Sequence, residues 1–264
     1  MLLPSGFKLN VTPLKPASSP IILTDFPSEE QIVQAGRELV DATLKWNHSK
    51  DFCKGIVKGY VHSKEADDEE PWFCRVSVHA PEVASFDEMW FGLGTNKPVH
   101  EKEYVHTVDQ VVLLKSLSDH AAVWNLHYKF PLLVGNRTFT VLQVTHLDTS
   151  GSNKSGLIVS IPVDVSSDAE MLKTEFKGTR GRYVSVERIH QLEDGKTEWR
   201  MATSSTPGGS IPGFLAQASA PGQIAQDVPM FLNWLNRRRD YVKGGIAENA
   251  AASTETPAEP APEA

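Results

Sequence analysis

Apolar residues recur with a helical period near each end of the chain and with a strand period through most of what lies between. In residues 222–239 (GQIAQDVPMFLNWLNRRR), Ile224, Val228, Phe231 and Leu235 follow at spacings of four, three and four, which sets them along one side of a helix. Met230, Leu232 and Trp234 widen that side, and Arg237, Arg238 and Arg239 stand where cations complement a helix dipole. Gly244-Gly245 is the expected stop. Pro229 either lies in the first turn of a helix that begins near Asp227 or marks a bend in a longer one. The other helical stretch opens at Ser28, with Gln31 at its third position as in a capping box. It is expected to run to about Trp46 and to bury Ile32, Leu39, Val40 and Leu44.

Between them, Trp72, Cys74, Val76 and Val78 alternate with Phe73, Arg75, Ser77 and His79, the pattern of a half-buried strand. The clearest alternation sets Ala122, Trp124, Leu126, Tyr128 and Phe130 against Val123, Asn125, His127 and Lys129. Further strands are expected over 55–63, 103–116 with a bulge near Asp109, 137–148, 156–165, 177–191 and 196–205, and a short helix over 81–93. Asp194-Gly195 reads as a two-residue hairpin turn. That turn makes Glu187 oppose Ala202, so that Glu187 and Arg200 share one face and Val184, Val186, Trp199 and Met201 the other. About seven strands joined by short turns imply an antiparallel sheet, and a long helix after them must bury its apolar side on it. The fold class is α+β, a curved antiparallel sheet wrapped around a long C-terminal helix.

Composition divides the chain into an irregular leader over 1–27, with prolines at 13, 16, 20 and 27, a single domain over 28–245, and a tail over 246–264. Beyond Ile246 the tail has no large apolar side chain, and such a composition cannot repay the entropy of ordering. A net charge of −7 gives no global attraction for nucleic acid. Cys53 and Cys74 make no disulfide framework, which points to a reduced, cytoplasmic setting. Residues 1–6 (MLLPSG) are too short of apolar side chains for a signal peptide, and no run reaches the ~18 apolar residues of a membrane span. The nine histidines fall into no metal-ligand spacing, and no phosphate loop or dinucleotide fingerprint is present, so neither metal nor cofactor is expected. Arg237–Arg239 could touch a membrane surface transiently, and no obligate protein partner is indicated.

A sheet around a helix encloses a space whose size depends on the side chains that point inward. Trp124, Tyr128, Phe139, Trp199, Met201, Phe214 and Phe231 are the large candidates, with Leu126, Val141, Val186, Val228 and Leu235 completing the wall. Such apolar pockets with a few polar groups are typical small-molecule sites, although the same pattern fits a filled core. The breaker-rich link over 206–213 (TPGGSIPG) suits a hinge at the mouth.

The runs WNLHYKFPLLVGNRTFTVLQVT, GRYVSVERI, EWRMATSSTPGGSIPGFL and IAQDVPMFLNWL resemble the START-like domain of uncharacterised fungal proteins, related to steroidogenic acute regulatory lipid-transfer domains within the Bet v 1-type helix-grip group. The resemblance spans roughly residues 72–239 and implies a lipid or other hydrophobic ligand held between sheet and C-terminal helix. FPLLVGNRTF resembles a START pattern in which an Asn-Arg pair opens a strand, so Arg137 becomes the first choice for a polar group near the cavity. Binding and intracellular transfer of a sterol, acyl lipid or polyketide-like compound is the leading reading. The alternative is a cyclase or isomerase with the same cavity, for which Tyr128, His127 or a Glu187–Arg200 pair would serve as acid or base.

Overall fold

The computed structural model describes residues 6–66, 68–130, 135–209, 211 and 213–252, those at 213–216 and 240–252 by their backbone alone. In chain order come helix α1 (Glu29–Ala42), strands β1 (Asn47–Phe52), β2 (Val57–His62) and β3 (Trp72–His79), and helices α2 (Phe86–Gly94) and α3 (Lys97–Tyr104). Strands β4 (Val108–Ser116), β5 (Ala121–Tyr128), β6 (Arg137–Asp148) and β7 (Ser155–Pro162) follow, then the short helix α4 (Ala169–Thr174). The chain closes with β8 (Thr179–Arg180), β9 (Arg182–Gln191), β10 (Thr197–Thr206) and helix α5 (Gly213–Ala252).

One sheet holds all the strands in the antiparallel order β1-β2-β3-β10-β9-β7-β6-β5-β4, with β8 added parallel to β6. Ten strands replace the expected seven or so. The additions are those whose sequence hides them: β1 (NHSKDF) is polar and exposed on both faces. β8 is cut from the longer β9 at Gly181, where an added Cβ would lie 2.4 Å from the Phe139 ring. The stretch expected as the start of β4 is helical instead, because Asn96 in a left-handed conformation and Pro98 in the first turn launch α3. The bulge near Asp109 is present, as a register shift between Val108 and Gln110.

The outer face of the sheet is sealed by α1. Ser28 caps that helix as the sequence implies, accepting from the Gln31 amide while the Gln31 side chain accepts from the Ser28 amide. Its Ile32, Val33, Ala35, Leu39 and Val40 pack on Trp72, Val123, Leu142, Val159 and Val186, and the leader adds Leu9, Val11 and Ile21 to the same cluster. The helix ends at Ala42, followed by a 3-10 turn, and leaves Leu44 exposed.

The inner face receives α2, α3 and α5. α5 is the longer of the two forms considered: it begins at Gly213, continues through Pro221 and Pro229, and runs past Gly244-Gly245. Pro229 has no N–H for the Ala225 carbonyl one turn back. Cys53 fills that gap, its thiol donating to Ala225 O at 3.5 Å. Trp234 Nε1 donates to Glu103 at 2.7 Å, Arg238 lies 5.0 Å from the Trp234 ring and 5.3 Å from Phe91, and Arg239 binds Glu88. Two of the three arginines therefore lash α5 to α3 and α2, a role beyond complementing the helix dipole. Among the described residues no helix is long and apolar enough to cross a membrane.

The β9–β10 hairpin carries the main correction. Ile189 pairs with Trp199 and Glu187 with Met201, because residues 192–196 form the connection and Leu192 N–H closes it on Lys196 O at 2.7 Å. The register is one residue from that expected, and a one-residue slip exchanges faces. Glu187 accordingly joins Trp199 and Met201 on the inner face, while Arg200 turns outward.

Candidate functional site

The sheet register builds the centre of the inner face. Gly59, Arg75, Met201, Glu187 and Ile158 lie side by side across β2, β3, β10, β9 and β7. Directly paired residues of antiparallel strands share a face, so Arg75 and Glu187 both point toward α5 across Met201. Glu187 is 2% exposed, accepts from Trp199 Nε1 at 2.9 Å and lies 3.2 Å from Lys97 Nζ. Lys97 reaches it from the first turn of α3 and also binds Glu101 one turn on. From α5, Asp227 brings a carboxylate oxygen to 3.9 Å from Arg75 Nη2, the same distance that separates Arg75 from Glu187.

Burial and partners set the ionisation of this cluster. Burial alone would lower Lys97, but Glu101 and Glu187 hold it well above its usual range. Burial would raise Glu187, and Lys97, Arg75 and the Trp199 N–H overcome it and hold the carboxyl low. Asp227 lacks such close partners, and burial pushes it up to about 7. Tyr104, Tyr128 and Tyr183 are all pushed up by burial and stay protonated.

Apolar clusters flank these charges on both sides. Toward β2 and β10, Trp199, Val228, Phe231 and Leu235 pack with Phe86, Met89 and Leu93 of α2. Phe231 is the hub, its ring 5.3 Å from Trp199, 5.6 Å from Tyr104 and 5.5 Å from Trp234. Toward β4, Trp124, Leu126 and Val141 form a separate cluster with Tyr128 and Tyr183 against it, and Phe139 sits between those two tyrosines. Beside it, an open cleft of about 560 Å³ lies between Trp90 of α2 and Leu113, Trp124, Gln143 and Thr145 of the sheet.

The expected wall residues thus fall on the inner face, in two groups, with Met201 at the centre. Val186 is the exception: it faces outward under α1, a consequence of the slipped register. The side chain of Phe214 and the turn at 131–134 lie outside the described residues. Arg137 is buried, but its guanidinium donates to the carbonyls of Pro207 at 2.8 Å and Gly135 at 3.0 Å, so it staples the 206–213 link to the start of β6. Of the acid–base candidates, His127 faces outward to Asp109 at 3.1 Å and Arg200 outward to Thr43 at 3.1 Å. No Glu187–Arg200 pair exists. Sequence reasoning set Arg75 on the polar side of a half-buried strand and gave no part to Lys97, Glu101 or Asp227. Asp227 did carry a signal: it stands three residues after Ile224 and four before Phe231, an acid on the apolar stripe.

Residues 72–235, most of the chain, match a protein family described as of unknown function, DUF3074. The chain belongs to the DUF3074 family. No curated protein matches it. Human STARD10 is similar in structure to this DUF3074 chain, 12% identical with a TM-score of 0.65 over 88% of this chain and 90% of that one. So is human StAR-related lipid transfer protein 5, 11% identical with a TM-score of 0.62 over 80% and 100%. A STAR-related lipid transfer protein fragment from Xanthomonas axonopodis is 18% identical, with a TM-score of 0.54 over 72% and 98%. At such identities the likeness is one of fold: this member of DUF3074 has the START-like, helix-grip fold.

Proposed function

We propose that the chain binds a hydrophobic small molecule, a sterol, an acyl lipid or a polyketide-like compound, between the inner face of the sheet and α5, and transfers it within the cell. The observation that carries this reading is that the two apolar clusters of the inner face do not merge. Among the described residues, no side chain of α2 or α5 joins Trp124, Leu126 and Val141. Tyr128, Phe139 and Tyr183, which border that cluster, stay only half-buried. Asp227 supports it as well: its side chain is 27% accessible, yet protein surrounds it closely enough to push its carboxyl up to about 7. On the proposed reading this carboxyl would stand at the wall of the ligand's chamber. The shared fold with proteins named for lipid transfer points the same way.

Burying about 300 Å² of apolar ligand surface would contribute about 7 kcal/mol before the entropy of association is subtracted. The test is native mass spectrometry of the full chain after incubation with a total lipid extract, with a lipid adduct as the expected result. A chain that emerges bare, and takes up neither a fluorescent sterol nor a fluorescent fatty acid, refutes the reading.

A further inference from the structure

One space on the inner side of the sheet is built without α5. The open cleft of about 560 Å³ is bounded by Trp90 and Asn96 from α2 and its link to α3, and by Leu113, Trp124, Gln143 and Thr145 from β4, β5 and β6. Among the described residues none of α5 lines it. It opens beside the hairpin at 116–121, at the end of β5 and β6 opposite to Arg137 and the stapled link.

Gln143 is the polar group at its floor. It is 7% exposed and stands on the inner face of β6, directly between Ala122 of β5 and Ser160 of β7. Neither neighbour is long enough to cover it, and its carboxamide has no hydrogen-bond partner among the described residues. A buried amide left unpaired carries a desolvation cost that a ligand relieves on binding. The aromatic walls are fixed before any ligand arrives. Trp90 is clamped by two glycines, since an added Cβ would lie 2.4 Å from its ring at Gly94 and 2.2 Å at Gly156. Trp124 is 8% exposed and held by Leu126 and Val141. Walls that are already rigid lose little entropy when a ring stacks on them.

We propose that this cleft is a binding site in its own right, for an uncharged flat heterocycle that carries a donor and an acceptor side by side on one edge, as a ring amide does. Two indoles and Leu113 suit a flat apolar body. The Gln143 carboxamide presents one acceptor and one donor in a plane, the complement of such an edge. No lysine or arginine lines the cleft among the described residues, and its one acid, Asp119, stands on the exposed rim, so nothing there compensates an anion. The site shares the Trp124 wall with the chamber proposed beneath α5 and does not depend on that chamber being filled.

The experiment uses the full chain and 2-quinolone, an uncharged bicyclic ring amide. The comparison compounds are 1-methyl-2-quinolone, which lacks the donor, the anion quinoline-2-carboxylate, and maltose. Equilibrium dialysis is expected to favour 2-quinolone over each of them by about tenfold or more. In proton–nitrogen correlation spectra 2-quinolone is expected to shift the Trp90 indole N–H signal, assigned by its loss in Trp90→Phe, and to leave those of Trp199 and Trp234 in place. Gln143→Leu is expected to bind 2-quinolone and its methyl derivative alike, and Gln143→Met to do the same should the leucine variant not fold. Absence of saturable 2-quinolone binding below about 1 mM overturns the proposal, as does a preference for the carboxylate or for maltose. Shifts at Trp199 and Trp234 in place of Trp90 put the ligand beneath α5, which overturns the cleft as a site and supports the chamber. A preference for 2-quinolone that persists without Gln143 overturns the assignment of the amide edge.

Discussion

Phe231→Ala tests what fixes α5 to the sheet. The Phe231 side chain is fully buried at the meeting point of Trp199, Tyr104 and Trp234. An aromatic side chain buries about 150–250 Å², worth about 4–6 kcal/mol at 25 cal/mol per Å², of which alanine keeps a minor part. Whether neighbours can collapse into the hole sets the rest. Here they cannot easily do so, because one wall is main chain: a Cβ added to Gly92 would stand 2.6 Å from Phe231 Cε2, which shows how closely the backbone of α2 abuts the ring. Loss of the aromatic contacts and a cavity with a rigid side place the variant near the upper end of the usual range, about 4 kcal/mol. Urea unfolding followed by far-ultraviolet circular dichroism and by tryptophan fluorescence measures it, and Tm is expected to fall by about 8–16 °C. A loss below about 1.5 kcal/mol would mean that the helix is not held where the Phe231 cluster places it, and the grip by α5 would have to be abandoned as the organising contact.

Asp227 gives a pH dependence of defined sign. Burial raises its carboxyl from 3.8 to about 7, so the folded chain retains a proton that the unfolded chain releases; this group's stability is fully present below about 4 and is lost as pH rises through 7. Asp227→Asn should therefore match wild type near pH 4 and exceed it at pH 8 by about 2–4 kcal/mol in urea unfolding, whereas a pH-independent difference would contradict the assignment. Removing the staple in Arg137→Ala frees the carbonyls of Pro207 and Gly135 and should cost about 2 kcal/mol, with amide exchange at Thr206, Gly208 and Gly209 faster by about tenfold or more; unchanged exchange there counts against the staple. In Gly156→Ala the new Cβ would fall 2.2 Å from the Trp90 ring, so a loss of about 1–3 kcal/mol with a shifted Trp90 emission is expected, and an unchanged spectrum means that the indole does not rest there.

Much of this architecture could be read from local pattern, and its failures have physical causes. The cap at Ser28, the helix carrying Phe86 and Met89, the bulge at Asp109 and the apolar stripe from Ile224 to Leu235 all depend on neighbours a few residues away. The hairpin register failed because Asp194-Gly195 suggests the shortest turn, while the Leu192–Lys196 hydrogen bond makes a longer one, and that one-residue error sent Val186 inward and Glu187 away from Trp199 and Met201. Strand β3 misled in another way. Alternation identifies two faces but not what covers them, and α5 covers the face that carries Arg75, Ser77 and His79. The central charges were illegible for a deeper reason: Arg75, Lys97, Glu187 and Asp227 come from four elements far apart in sequence, and only the folded sheet brings them within 4 Å of their partners.

The way α1 and the leader plug the outer side of the sheet has mechanical consequences. With Gly36 so close to β7 that an added Cβ would stand 2.8 Å from Val159, the strands are backed like an anvil and have no slack to bow outward. If the chain holds a ligand as proposed, one too bulky for the interior would be accommodated by displacement on the opposite side, at α5 and the stapled loop before it, and ligand size would be written in that jaw rather than in the strands.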